Sequence, residues 1–97
     1  MSLTPRQEEK LQEILDILQE ECAEVIQAVS KIRRFGRDNS HKDYPTQREN
    51  FTQEIGDVLL LIDLLISYNV FSAYELQEAK LRKASKLKVW SNIYKEA

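Results

Sequence analysis

The sequence predicts an all-α domain, a bundle of three to four helices per chain completed by oligomerisation. Apolar residues recur at spacings of three and four through most of the chain, and no segment alternates polar and apolar residues as a half-buried strand would. Two glycines and two prolines in 97 residues leave few turns. That length makes a single domain, 1–97, with a core ample for a helical bundle but modest for a lone chain.

The first helix opens at Thr4, Pro5 and Gln7, which supply an N-cap, a first helical position and a capping-box partner; Glu8 and Glu9 suit the positive helix end. Leu11, Leu15, Leu18, Cys22, Val25, Val29 and Ile32 then form one apolar stripe. Lys31, Arg33 and Arg34, followed by Gly36, are the matching stop signals. Unbroken, this helix is ~47 Å long, whereas a compact chain of this size has a radius of gyration of roughly 13 Å. It must bend or pack on a second subunit. Cys22, the single cysteine, reads as a small core residue, and it rules out an internal disulfide. With no signal-peptide pattern, it points to a reducing cytoplasm.

Gly36 to Pro45 is polar and turn-rich and reads as a loop; its histidine, His41, reads as a solvated surface residue. Thr46 and Glu49 repeat the capping-box spacing and open a central helix reaching Tyr68 or Asn69. From Val58 to Ile66 this helix is apolar all round apart from Asp63, so it must be covered on every side. One partner helix and one C-terminal helix do not supply that cover, which places the central helix at a subunit interface. Its apolar runs fall short of the ~20 residues that span a bilayer, so no membrane is expected as a partner.

Ser72 and Glu75 start a third helical region running to about Tyr94, with room for one break. Leu76, Ala84, Leu87, Trp90 and Tyr94 share an apolar arc. Lys80 and Lys83 project into its middle and Lys86 lies at its edge. Either the lysine stems lie on apolar surface with their ammonium groups in water, or they point into an acidic, phosphate-filled site. A formal charge of −2 with both signs interspersed argues against a nucleic-acid-binding face, the only basic concentration being near the C-terminus.

The chemistry lies in paired acids. Glu21 and Glu24 border the first stripe, with Glu20 further round toward solvent; Glu54 and Asp57, also three apart, share one face of the central helix. Gly56 between them costs a helix interior ~1 kcal/mol relative to Ala, which the close approach of another helix would justify. Packed together, the two helices collect four carboxylates, which repel unless cations neutralise them. Oxygen ligands without a cysteine or histidine cluster favour Mg²⁺ or Mn²⁺ over Zn²⁺.

EECAE at Glu20 to Glu24, followed by EIGD at Glu54 to Asp57, resembles the paired EExxE and ExxD signature of the MazG-like all-α nucleoside triphosphate pyrophosphohydrolases. The resemblance covers most of the chain. It implies that Glu21, Glu24, Glu54 and Asp57 bind Mg²⁺, with Glu20 adjacent, in an enzyme that hydrolyses NTP or dNTP to the monophosphate and pyrophosphate. It also implies a homodimer or homotetramer with sites near subunit interfaces. The chain departs from the family pattern in two places. Lys80 and Lys83 are followed one turn later by Ala84 and Leu87 where an arginine often stands, and Gln53 replaces an acid before ExxD, leaving Glu20 as the spare carboxylate for the attacking water.

The mechanism that follows is attack of metal-activated water at the α-phosphorus, with Lys80, Lys83 or Lys86 holding phosphate. A di-iron carboxylate bundle would need ExxH pairs, and no histidine follows Glu21 or Glu54 at that spacing. A non-catalytic helical interaction module is the alternative; it accounts for the stripe but not for the paired acids.

Overall fold

Each helix begins at the residue whose side chain caps it. The computed structural model describes residues 2–96 and forms α1 (Pro5–Phe35), α2 (Gln47–Ser67) and α3 (Ala73–Trp90). The Thr4 hydroxyl accepts from the Gln7 amide at 3.1 Å while the Gln7 side chain accepts from the Thr4 amide at 2.8 Å. Ser72 and Glu75 form the same reciprocal pair at 3.0 and 2.9 Å. At Thr46 only half of the expected box forms: its hydroxyl accepts from the Glu49 amide at 3.2 Å. The start of α2 is tied instead to the preceding loop, because the Gln47 and Arg48 amides donate to the Asn39 and Arg37 carbonyls at 2.8 and 2.9 Å.

The helix ends follow backbone chemistry. Gly36, at φ +88°, takes a conformation L side chains rarely adopt, and its amide closes α1 onto the Ile32 carbonyl. At the end of α2, Asn69 takes φ +61°. The Asn69 amide then reaches the Ile66 carbonyl and the Val70 amide the Leu65 carbonyl, at 2.9 and 3.1 Å, the paired bonds of a Schellman motif. The third helix stops at Trp90, short of the expected Tyr94. Ser91 turns extended, donates its hydroxyl to the Leu87 carbonyl at 2.7 Å and accepts the Ile93 amide at 3.2 Å, satisfying the helix end there.

The first two helices form an antiparallel hairpin, with Leu3 and Gln7 at the start of α1 beside Tyr68 and Asn69 after α2. Ala28, Leu61 and Leu65 are its buried apolar residues. Along α1 the seam runs through Leu11, Ile14, Leu18, Glu21, Val25, Ala28 and Ile32, all half-buried or buried. The expected stripe shares every second member of that seam, but Leu15, Cys22 and Val29 are exposed. Cys22 is therefore not a core residue in this chain. Both registers are equally helical; the observed one turns α1 by roughly one residue, tucks the small Ala28 against α2 and brings Glu21 inward.

Helix α1 runs unbroken, and α3 packs only sparsely on the hairpin. The outcome is a slab of 49 × 38 × 15 Å with a radius of gyration of 16.9 Å, well above the roughly 13 Å of a compact chain of this length. A Cβ added at Gly56 would meet nothing within 4 Å, so among the described residues no other helix approaches there and the expected reason for that glycine is not met within one chain.

The left-handed Asn69 gives a direct test. Replacement by Ala is expected to destabilise the fold by about 1 kcal/mol in urea titrations, whereas Asn69→Gly should be neutral or slightly stabilising.

Candidate metal centre

The inward turn of α1 sets Glu21 against the face of α2 that carries Glu54 and Asp57. One carboxylate oxygen from each of the three lies within 4.8 Å of the others, and all three side chains are half-buried. The Glu21 Oε2 atom is fully buried and has no hydrogen-bond partner among the described residues. Burial, reinforced by the Asp57 and Glu54 charges beside it, raises the Glu21 carboxyl above its ordinary value. One turn before Asp57, Gln53 donates its side-chain N–H to Asp57 Oδ1 at 2.8 Å and fixes the orientation of that carboxylate.

A buried anionic oxygen without a donor is costly unless a proton or a cation meets it. Three hard oxygen donors with no sulfur or nitrogen among them suit a hard divalent cation, so the residues present fit the ion that the sequence implies.

The other expected site residues stand apart. Glu24, one turn on from Glu21, is exposed and lies outside the three-acid group, but it lines a cleft that also reaches Glu54. Glu20 is exposed. Lys80 and Lys83 line a separate groove of about 490 Å³ between α2 and α3, together with Leu59, Ile62, Asp63 and Ile66. Those four positions lie on the side of α2 turned away from Glu54, Asp57, Leu61 and Leu65. Lys86 is exposed. Within one chain, then, three acids converge and the α3 lysines do not join them.

Two residues unremarked in the sequence extend the acidic face. Gln47 and Asn50 are only 4 % and 6 % exposed, and they continue toward the start of α2 the three- and four-residue steps of Glu54, Asp57, Leu61 and Leu65. The Gln47 side chain donates to the Ser40 carbonyl at 2.8 Å and holds the loop down.

The family model of the MazG nucleotide pyrophosphohydrolase domain matches residues 9–88, a span that takes in α1, α2 and nearly all of α3. The chain belongs to this family. No curated protein and no solved structure matches it significantly. Membership makes the all-α architecture that of a MazG domain, and it makes nucleotide pyrophosphohydrolysis the activity class of this MazG chain. Among the described residues, no helix of the domain is long and apolar enough to cross a membrane.

Because the Glu21 carboxyl is raised on folding, the folded MazG domain binds a proton there that the unfolded chain has already released. Without metal, stability should therefore fall as pH rises from about the ordinary value of 4.5 through the raised one, and level off above it. Thermal melts in chelator across that window should show the decline, and Glu21→Gln should flatten it.

Proposed function

We propose that the protein hydrolyses a nucleoside triphosphate, NTP or dNTP, to the monophosphate and pyrophosphate with Mg²⁺, or Mn²⁺ in its place. The observation that carries this reading is the convergence of Glu21, Glu54 and Asp57 around a buried carboxylate oxygen that lacks a donor, in a chain of the MazG family. When bound, the divalent cation neutralises phosphate charge and acidifies water. Glu21, Glu54 and Asp57 would hold it, with the exposed Glu24, one turn on from Glu21, as a fourth ligand. Gln53 keeps Asp57 aimed at the centre. Water attacks the α-phosphorus, the bond to the bridging oxygen of the β-phosphate breaks, and pyrophosphate departs with the bonding electron pair. The proton released by that water goes to a carboxylate outside the three-acid group, for which Glu20 is the candidate.

The working form is a homodimer or homotetramer. Support comes from the open face of α2, where Leu59 and Leu60 are 56 % and 60 % exposed beside the unapproached Gly56, more apolar surface than a soluble monomer leaves bare. In such an assembly Lys80, Lys83 and Lys86 of one subunit hold the phosphates bound at another, which is how lysines remote from the acids of their own chain would serve the reaction.

Each of Glu21→Gln, Glu24→Gln, Glu54→Gln and Asp57→Asn should lower Mg²⁺-dependent pyrophosphate release by about 100-fold or more, since loss of even an outer partner of a metal ligand costs 10–100-fold. Mg²⁺ should raise the melting temperature of the parent more than that of these variants. Loss of stability in chelator on Glu54→Gln with hydrolysis untouched would make the acids structural and leave a helical interaction module.

A second test addresses assembly. Leu60→Lys should convert the species seen in sedimentation to monomer and abolish turnover, whereas Lys83→Ala should weaken turnover and keep the oligomer. A parent that sediments as a well-folded monomer at micromolar concentration, with unfolding independent of concentration, would refute it.

A further inference from the structure

Beside the acids, the α1–α2 loop roofs a cleft of about 340 Å³ that Glu24 and Glu54 share with Lys31, His41, Tyr44 and Asn50. That volume is in the range of small-molecule sites. Asn50 lines it from α2, is 94 % buried, and its side-chain amide makes no hydrogen bond among the described residues. Among the described residues the buried side-chain atoms without a partner are Glu21 Oε2 and Gln47 Oε1, so the Asn50 amide is not sealed off but opens onto the cleft, its donor and acceptor free for a ligand.

We infer that this cleft is a nucleobase subsite, in which Asn50 reads the edge of the base while the His41 and Tyr44 rings border its face. The inference rests on the triphosphate reading above and names the part of the substrate that the cleft takes. An amide carries donor and acceptor side by side. Phosphate offers acceptors alone, so it would satisfy the Asn50 N–H groups and leave Oδ1 without a donor. A base edge, on which donor and acceptor stand next to one another, satisfies both. The lining sets Glu24, Asp43 and Glu54 against Lys31 and Lys42, so it offers an anion no net attraction.

The rings add a surface for a flat ligand. His41 and Tyr44 sit with centroids 5.5 Å apart and planes inclined by 60°, so one of them can lie flat against a base while the other meets its edge. Their positions are set before any ligand arrives. His41 Nδ1 accepts from the Asp43 amide at 3.0 Å, the His41 amide donates to the Tyr44 carbonyl at 3.3 Å, and Gln47 pins Ser40. With Nδ1 engaged as acceptor, Nε2 is left to carry the ring proton.

The test is titration of the five common nucleoside monophosphates and of inorganic pyrophosphate, each with Mg²⁺, into the parent, Asn50→Ala, His41→Ala and Tyr44→Ala. The parent should prefer one base, and Asn50→Ala should shrink that preference about tenfold, as sites built on hydrogen bonds discriminate through them. Pyrophosphate affinity should stay within about twofold. Should Asn50→Ala fail to fold, the two loop variants carry the same comparison, with weaker monophosphate binding and unchanged pyrophosphate binding expected. A base preference indifferent to all three positions overturns the inference, as does pyrophosphate affinity falling in step with that of the monophosphates, which would make the cleft a phosphate site. A parent that binds monophosphates by base but hydrolyses no triphosphate would overturn the proposed function and leave the subsite standing.

Discussion

Everything in this chain turns on the burial of the Glu21 carboxylate against two others. A helical hairpin of this size would gain most by pressing leucine and valine into its seam, yet α1 is rotated so that a charge faces α2 and Leu15 and Val29 face outward. The rotation sacrifices apolar burial on one flank. It also places an anionic oxygen beyond the reach of water with no donor of its own. Such an arrangement costs stability until a proton or a cation meets that oxygen, so occupancy of the cluster would feed back on the stability of the fold.

Much of this was legible in the chain. Thr4, Thr46 and Ser72 mark the three helix starts because a cap is a local bond between residues three apart, and Gly36 marks an end because its conformation excludes other side chains. The acids were legible for a related reason: spacing along a helix decides which of them share a face. What escaped depends on contacts between helices. Taken together, Leu15, Cys22 and Val29 are more apolar than Ile14, Glu21 and Ala28, so hydrophobic periodicity favours the register that is not adopted; the observed seam is the one in which Glu21 meets Glu54 and Asp57. Asn50 and Gln47 look like ordinary polar residues until their steps are counted back from Glu54. The α3 lysines were hardest to place, since their surroundings depend on how α3 leaves the hairpin rather than on anything within α3.

The two polar centres differ in character and adjoin each other. At the seam the converging groups are all acidic oxygens, a set suited to a cation. Under the loop the Asn50 amide faces the cleft with a group that can both give and take a hydrogen bond. Glu54 borders both, so whatever occupies one lies within reach of the other. The loop is anchored at Arg37, Asn39 and Ser40 by the first residues of α2, which makes the roof of the cleft an extension of the helix that carries the acids.

Glu21 lies near the midpoint of a 31-residue helix, and Glu54 and Asp57 stand well inside α2. Backbone amides in helix interiors are already spent on carbonyls one turn back, and only the first turn of a helix has N–H groups to spare. An anion arriving at this cluster therefore finds no peptide cradle of the kind that helix N-termini offer to phosphates. Whatever meets its charge has to come from side chains and from ions that those side chains would hold. Recognition in this protein is written in side-chain chemistry, and a single substitution is enough to rewrite it.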